Sequence, residues 1–347
     1  MGPQQRGRPS RRWSISSPPG PVVVVVGGAH GITVGVVAAD GTVLSVVEDG
    51  PLEVTPDGFA AGRAMSHVDQ MLAAASVDPT DLSLAVVGLP GPSSFSGGVG
   101  DGVNAGHPPS GHLRRFRTWD GTSPVNLLRE HLGCPVYSEN DVNLAALGEA
   151  TAGVATGLPA ALHVGLAHGT GAGLVIEGKL HRGHSGLAGE IGHLHSDDGG
   201  RLCHCGSHGC FWQTRSIPAL LESLADAHGR SFSITDVAEA AAREDSDVER
   251  ALLGFSEALG RRLADAVVFI DPGAIVIDGS LGAASATIAD GVRDALRHCA
   301  PPGLARNTQV LVGELGIRAP LLGAVALARS ENLFSSTAVP APLVSGR

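Results

Sequence analysis

Three of the chain's five cysteines, Cys203, Cys205 and Cys210, fall within eight residues of one another in the stretch 186–213, GLAGEIGHLHSDDGGRLCHCGSHGCFWQ. His193, His195, His204 and His208 lie in the same stretch. Thiolates and imidazoles at this density suit Zn²⁺, a borderline-soft ion that takes sulfur and nitrogen donors in a tetrahedron. The best four-ligand set is His193, Cys203, Cys205 and Cys210, spaced His-x9-Cys-x-Cys-x4-Cys, with His204 and His208 as rival ligands. Gly206 and Gly209 stand between the last two thiols, where the backbone must turn sharply to bring them round one ion. The plainer reading is a disulfide or three free thiols, but Cys-x-Cys is a poor disulfide geometry. With all four positions filled by protein, the site is structural and leaves no place for a catalytic water.

A second chemical stretch runs Ser138-Glu139-Asn140-Asp141-Val142-Asn143 and continues to Gly148-Glu149 after the strand-like Cys134-Pro135-Val136-Tyr137. Asp141 suits the N-cap of the helix that follows, a role aspartate fills well. It also suits a carboxylate that accepts a hydrogen bond from a bound hydroxyl.

Two motifs together carry a resemblance. Gly189-Glu190-Ile191-Gly192-His193 followed by Cys-x-Cys-Gly-x-x-Gly-Cys, and the Asn140-Asp141-x-Asn143 run ending in Gly148-Glu149, resemble the signature of the ROK family, which holds bacterial sugar kinases and sugar-responsive transcriptional repressors. The resemblance covers about residues 21–330. It implies a two-lobed α/β actin-like ATPase (ribonuclease H-like) fold with a structural zinc loop. It also implies a sugar or amino-sugar ligand held by Asn140, Asp141, Glu190 and His193, with His193 binding zinc as well. In the kinases the aspartate matching Asp141 is the general base that takes the proton of the attacking hydroxyl. The family's glutamate two residues after the last cysteine is Trp212 here. Its asparagine before the sugar-side tryptophan, Trp119 in this chain, is replaced within Arg114-Arg115-Phe116-Arg117-Thr118.

The nucleotide side departs further. The family's kinases carry an Asp-x-Gly-Gly-Thr turn at the first strand, whose aspartate organises Mg²⁺ and the phosphates of ATP. Here that segment reads Val25-Val26-Gly27-Gly28-Ala29-His30-Gly31, with no acid between Val22 and Ala39. The second phosphate turn reads Ala167-His168-Gly169-Thr170-Gly171, and the adenosine-side turn has Asp278 before Gly279, where a glycine is usual. Degenerate nucleotide contacts therefore fall at Gly27, Gly28, Gly169, Gly171 and Gly279. Retained sugar and zinc elements beside eroded phosphate elements predict the effector-binding part of a ROK transcriptional regulator. The alternative is an ATP-dependent hexose kinase that uses Asp141. A zinc-held scaffold is a third reading if Trp212 and Arg114–Arg117 close the pocket.

The elements that must position these residues repeat. Strand-like runs Val22–Val26, Ile32–Ala38 and Thr42–Val47, with Asp40-Gly41 as a hairpin turn, return at Ala161–Ala167, Ala172–Ile176 and Lys179–His181, with Glu177-Gly178 in the turn. A duplicated strand–turn–strand unit is what two lobes of one architecture would show. Pro56–Val77 reads as helical by period, and residues 92–112 as a Gly/Ser/Pro-rich flap or a disordered loop. Ser123 caps a helix with Pro124 in its first turn and Gly133 past its end. Further helices are expected from Ser216 to near Gly229 and over Thr235–Arg243, Val248–Ile270 and Pro320–Arg329. Strands are expected at Ala274–Ile277 and Val310–Val312. The domains read as a basic lead-in at 1–20, an N-terminal lobe at 21–139, a C-terminal lobe at 140–317 with its zinc loop at 193–210, a closing helix at 318–330 and a loose tail at 331–347.

Composition sets the outer bounds. The 347 residues, 43% hydrophobic, suffice for a large core, and no apolar run reaches membrane-spanning length. Cysteines in metal-ligand spacing fit a cytoplasmic setting. Residues 1–20 hold four of the 24 basic residues and none of the 34 acids, which leaves the remainder at a net −14. So acidic a body does not bind a phosphate backbone, so any DNA contact requires a separate module. Gly7-Arg8-Pro9 resembles the exit of the family's winged helix-turn-helix, and the chain is expected to start inside or just after one. By resemblance a homo-oligomer is expected, a dimer or a tetramer.

Overall fold

The computed structural model describes residues 19–28, 31–50, 54–55, 58–59, 61–91, 123–166, 169–203 and 205–335. The expectations for residues 1–18, the 92–112 loop, Arg114–Arg117, Trp119 and His204 fall outside these residues. Among the described residues no helix is long and apolar enough to cross a membrane.

Five consecutive valines open the first strand, β1 (Val22–Gly28). It pairs antiparallel with β2 (Gly31–Val37), which pairs antiparallel with β3 (Val43–Asp49). On its other side β1 runs parallel to β6 (Leu84–Leu89), which runs parallel to β7 (Val136–Asn140). A small hairpin, β4 (Val54–Thr55) and β5 (Gly58–Phe59), lies outside this sheet. The order is β3-β2-β1-β6-β7. Val22 to Val25 are all fully buried because β1 is covered on both faces, which is why the run is continuous rather than alternating. Val23 and Val25 pack toward helices α1 (Ala61–Ala75) and α2 (Pro124–Leu132). Val22 and Val24 pack toward α3 (Asp141–Ala152) and the late helix spanning Arg318–Ser330.

The second sheet repeats the first strand for strand. β8 (Ala160–Gly165), β9 (Gly171–Ile176) and β10 (Lys179–Leu180) pair antiparallel, and β8 continues parallel to β11 (Ala274–Ile277) and β12 (Gln309–Val312). The order, β10-β9-β8-β11-β12, matches the first in sequence and in sense. The duplication legible in the strand-turn runs is thus a duplication of topology. One face of this sheet carries the large C-terminal core built by α4 (Phe211–Arg215), α5 (Ile217–His228), α6 (Ile234–Ala242), α7 (Ser246–Ile270), α8 (Ala283–Cys299) and α9 (Pro302–Asn307).

Three expectations change. The helix expected over Pro56–Val77 begins only at Ala61, since Gly58–Phe59 pairs as β5 and Phe59 is not on the helix. Ser123 occupies the N-cap position of α2, but its hydroxyl makes no capping bond. The 17-residue helix α8 was not expected at all. Its apolar residues do recur at helical spacing, with Ile288, Val292 and Leu296 on the buried face beside the small Ala284, Ser285, Ala289 and Gly291, so the period stands in the sequence.

The last helix, α10 (Arg318–Ser330), crosses α3 at close range. A Cβ on Gly323 would stand 1.8 Å from the Leu144 carbonyl oxygen, and one on Gly148 would stand 2.0 Å from that of Ala319. These two glycines let the two backbones touch. Gly323→Ala is therefore expected to destabilise by about 2–3 kcal/mol despite alanine's better helix propensity. Gly254→Ala in α7, where a Cβ meets nothing within 4 Å, is expected to stabilise by about 0.5–1 kcal/mol. Urea midpoints moving in opposite directions would bear this out, whereas a stabilising Gly323→Ala would contradict the close crossing.

Candidate ligand and metal site

β7 ends at Asn140 and α3 begins at Asp141, so the chain turns from sheet to helix inside the second chemical stretch. Asn140, not Asp141, is the N-cap: its Oδ1 accepts from the Asn143 backbone N–H at 3.0 Å. Asp141 is the first helical residue and accepts the Val142 N–H at 2.9 Å. The cap assignment moves by one residue because asparagine caps as well as aspartate. The Asn140 amide also donates to the Gly91 carbonyl at 2.9 Å, which ties it to the end of β6.

A small recess with a cavity volume of about 20 Å³ opens beside this junction, lined by Asn140, Asn143, Gly171, Ala172, Gly189 and Glu190 among others. That is far below the 300–1,000 Å³ typical of drug-sized ligands, so a sugar would extend beyond it, and the polar lining suits the hydroxyls of such a molecule. The structure thus brings Asn140 and Glu190 to one wall although fifty residues separate them. Gly171, assigned above to the second phosphate turn, borders the same recess.

Glu190 opens the short 3-10 turn Ile191–His193, which places the His193 Nε2 3.8 Å from the Glu190 carboxylate. The other ring nitrogen, Nδ1, lies 3.5 Å from the Cys203 sulfur. His193 therefore meets the Glu190 carboxylate with one nitrogen and the thiols with the other. Cys205 and Cys210 sulfurs are 3.5 Å apart, and the Trp212 indole N–H donates to the Cys203 sulfur at 3.2 Å. Ligand atoms of His193, Cys203, Cys205 and Cys210 all lie within 4.8 Å of one another. Zn–S bonds of about 2.3 Å would set ligand sulfurs about 3.8 Å apart, so the cluster fits a tetrahedral ion. All five cysteines are free thiols. The rival His208 is exposed and outside the group. Gly206 and Gly209 adopt φ of 93° and 67°, the left-handed turns expected between the last two thiols.

Burial, and then the neighbouring Cys203 and Cys205, push the Cys210 thiol up to about 12. For Cys205, burial acts upward, but hydrogen bonds from the Ser207 backbone and from the Cys210 and Cys203 thiols outweigh it, and the net direction is down. Burial and the neighbouring thiols thus favour the protonated form of Cys210 in the metal-free cluster, and a metal must displace that proton. Cys210 alone should lower apparent Zn²⁺ affinity by about tenfold for each unit of acidification, and any other protonated thiol adds to this. A competition titration against a chromophoric chelator at pH 7.5, 6.5 and 5.5 reads the slope. A flat profile would exclude Cys210 as a ligand.

The nucleotide-side residues are arranged differently. Gly27 and Gly28 end β1, paired to Ile32 and Gly31. The half-buried Val26 packs with the cluster around α3 and α10, where the kinase turn would carry an acid. The second turn is longer, since β8 and β9 meet at Gly165 and Gly171, and Gly169 is exposed within it. Gly279 opens a 3-10 turn capped by Asp278, whose carboxylate accepts from the Ser280 N–H at 2.9 Å and its hydroxyl at 3.0 Å.

Sequence reasoning missed Glu139, Asn143 and Arg182. Glu139 is wholly buried, and its Oε1 accepts from the Asn140 N–H at 2.8 Å and the Asn143 side chain at 2.9 Å. Its Oε2 accepts from Arg182 Nε at 2.7 Å. Glu139 lay inside the quoted motif, but its partner is 43 residues distant and had no local signal.

The ROK family pattern matches residues 22–331. The chain is 27% identical over 294 residues to the DNA-binding transcriptional repressor Mlc of Escherichia coli K12, covering 81% of this chain and 69% of that protein. It is 30% identical over 205 residues to a xylose repressor of Bacillus spizizenii, covering 59% of this chain and 53% of that one. The chain thus spans about half to two-thirds of the length of these curated relatives. A ROK family glucokinase from Streptomyces griseus, solved with glucose and AMPPNP, superposes with a TM-score of 0.72 at 26% identity, over 90% of this chain and all of that one. Two mixed five-stranded sheets of one topology put the fold among the actin-like ATPases and sugar kinases. With the family pattern running from β1 to the end of α10, this chain is a member of the ROK family.

Proposed function

We propose that this chain is the effector-binding part of a sugar-responsive ROK transcriptional regulator. In this reading a sugar or amino sugar occupies the recess at the β7–α3 junction, held by Asn140, Asp141, Glu190 and His193. A structural Zn²⁺ on His193, Cys203, Cys205 and Cys210 fixes the His193 ring so that its Nε2 faces the ligand. The protein works in the cytoplasm as a homo-oligomer. DNA is read by residues other than the acidic body, whose net −14 repels a phosphate backbone.

The observation that carries the reading is Val26. A phosphotransferase must hold Mg²⁺ and the γ-phosphate as firmly as the acceptor hydroxyl. Where the first phosphate turn would place the metal-organising acid, this chain has a valine packed into the apolar cluster around α3 and α10. Asp278 adds a carboxylate at the adenosine-side turn, where it disfavours a polyanion. Repressors stand among the relatives, as do glucokinases.

The kinase reading keeps one specific support. Asp141 stands half-buried at the start of α3, next to the recess-lining Asn140, and a ROK glucokinase shares the fold over its whole length. Calorimetry with glucose, N-acetylglucosamine, N-acetylmannosamine and xylose, run beside an ADP-release assay with Mg·ATP, decides between the two. Binding without ADP release is the expected result.

A further inference from the structure

Glu139 sits one residue before the proposed sugar contacts and is fully enclosed. An enclosed carboxylate needs its oxygens satisfied by strong donors, since desolvation is costly. Here one oxygen holds the Asn140 N–H and the Asn143 side-chain amide, and the other takes Arg182 Nε. Asn140 and Asn143 both line the recess. The orientation of that wall therefore depends on where Glu139 is held.

Arg182 reaches Glu139 from the exit of β10, on the second sheet, with only 14% of its side chain exposed. Its Nη1 donates to Glu331 Oε1 at 3.0 Å, and Glu331 immediately follows α10. One guanidinium thus joins the last strand of the first sheet, the edge of the second sheet and the end of the final helix. Its planar fork can hold two carboxylates in fixed directions, which a lysine's point charge does less well.

We propose that Arg182 is a positioning residue for the ligand recess: by anchoring Glu139 it sets Asn140 and Asn143, and through Glu331 it couples the recess to the end of α10. The ligand side of this inference rests on the sugar-binding reading above; the anchoring of residues 138–143 does not.

The experiment compares wild type with Arg182→Lys and Glu331→Gln at a temperature well below every melting midpoint. Arg182→Gln is avoided because it strands a buried carboxylate and invites unfolding. Two quantities are read: the dissociation constant of whichever sugar of the panel binds wild type best, and hydrogen–deuterium exchange of 138–143 against the β11 reference 274–277. Expected are a fivefold or greater loss of sugar affinity in Arg182→Lys and a smaller loss in Glu331→Gln. Exchange should quicken at 138–143 and stay unchanged at 274–277. Affinity within twofold of wild type in both variants, whatever the melting temperatures do, would reduce Arg182 to a structural ion pair and overturn the proposal. If wild type binds none of the sugars, the functional reading fails. Exchange then decides alone: quickening confined to 138–143 supports the anchoring role, and unchanged exchange there rejects it.

Discussion

Cys205→Ser is expected to empty the metal site and to give the largest stability loss of any single side-chain change considered. Wild-type protein purified without chelator should carry about one Zn per chain by elemental analysis, and the variant should carry almost none. The reason lies in the loop itself. Among the described residues of 193–210 there is no strand longer than an isolated bridge, such as His195 opposite Cys210 and Leu202 opposite His208. Their sulfur and imidazole ligands are the main feature that converges. Without the ion three thiols crowd one another, with the Cys205 and Cys210 sulfurs 3.5 Å apart. Because ligand binding and loop folding are one event, the melting midpoint should fall by several degrees, on the scale of about 2–4 °C per kcal/mol for domains of this size. Protein that is metal-free as isolated, folded, and indifferent to chelator would remove the zinc assignment and leave three free thiols.

Negligible phosphotransfer is the second large effect expected. ROK-type kinases should turn over at about 1–100 s⁻¹, as kinases generally do. This chain should fall at least a thousandfold below that with any sugar it binds, because the loss of a charge-organising group at the phosphates costs on that order. Asp141→Asn should then change affinity rather than rate. Losing one charge-assisted hydrogen bond to a ligand hydroxyl weakens binding by about tenfold to a hundredfold. Robust ADP release with glucose or N-acetylmannosamine, abolished by Asp141→Asn, would instead establish the kinase. The two outcomes separate because a sensor loses binding, whereas a kinase that uses Asp141 as general base loses chiefly its catalytic rate.

The Cys/His cluster and the sheet duplication were legible in the chain because each depends on short-range order. Cys203, Cys205 and Cys210 sit within eight residues, with glycines at the turns, so their convergence needs little more than the local backbone. The strand runs 22–26 and 161–167 read correctly as equivalents because central strands covered on both faces demand continuous apolar residues. Boundaries were less legible. The helix start at Ala61, and the cap at Asn140 rather than Asp141, turn on single hydrogen bonds that several neighbouring residues could make. Helix α8 carries a helical period in Ile288, Val292 and Leu296, and what had no sequence signal is its packing, since small residues meet α7 by close approach rather than by bulk. A Cβ on Gly291 would meet the Ser256 Cβ at 2.4 Å, and one on Gly260 that of Ala295 at 2.5 Å.

What the sequence alone determined is the family and a His/Cys cluster that could hold a metal, both carried by residues close together along the chain. Only the tertiary structure decided how the wall of the recess is held. Arg182 meets Glu139 across 43 residues and Glu331 across 149. Gly323 meets Leu144, and Gly148 meets Ala319, across a helix crossing formed by the chain's far end. A lone arginine, glutamate or glycine has no spacing that marks it, because its partner is chosen by the packing of two sheets and their helices rather than by the residues beside it.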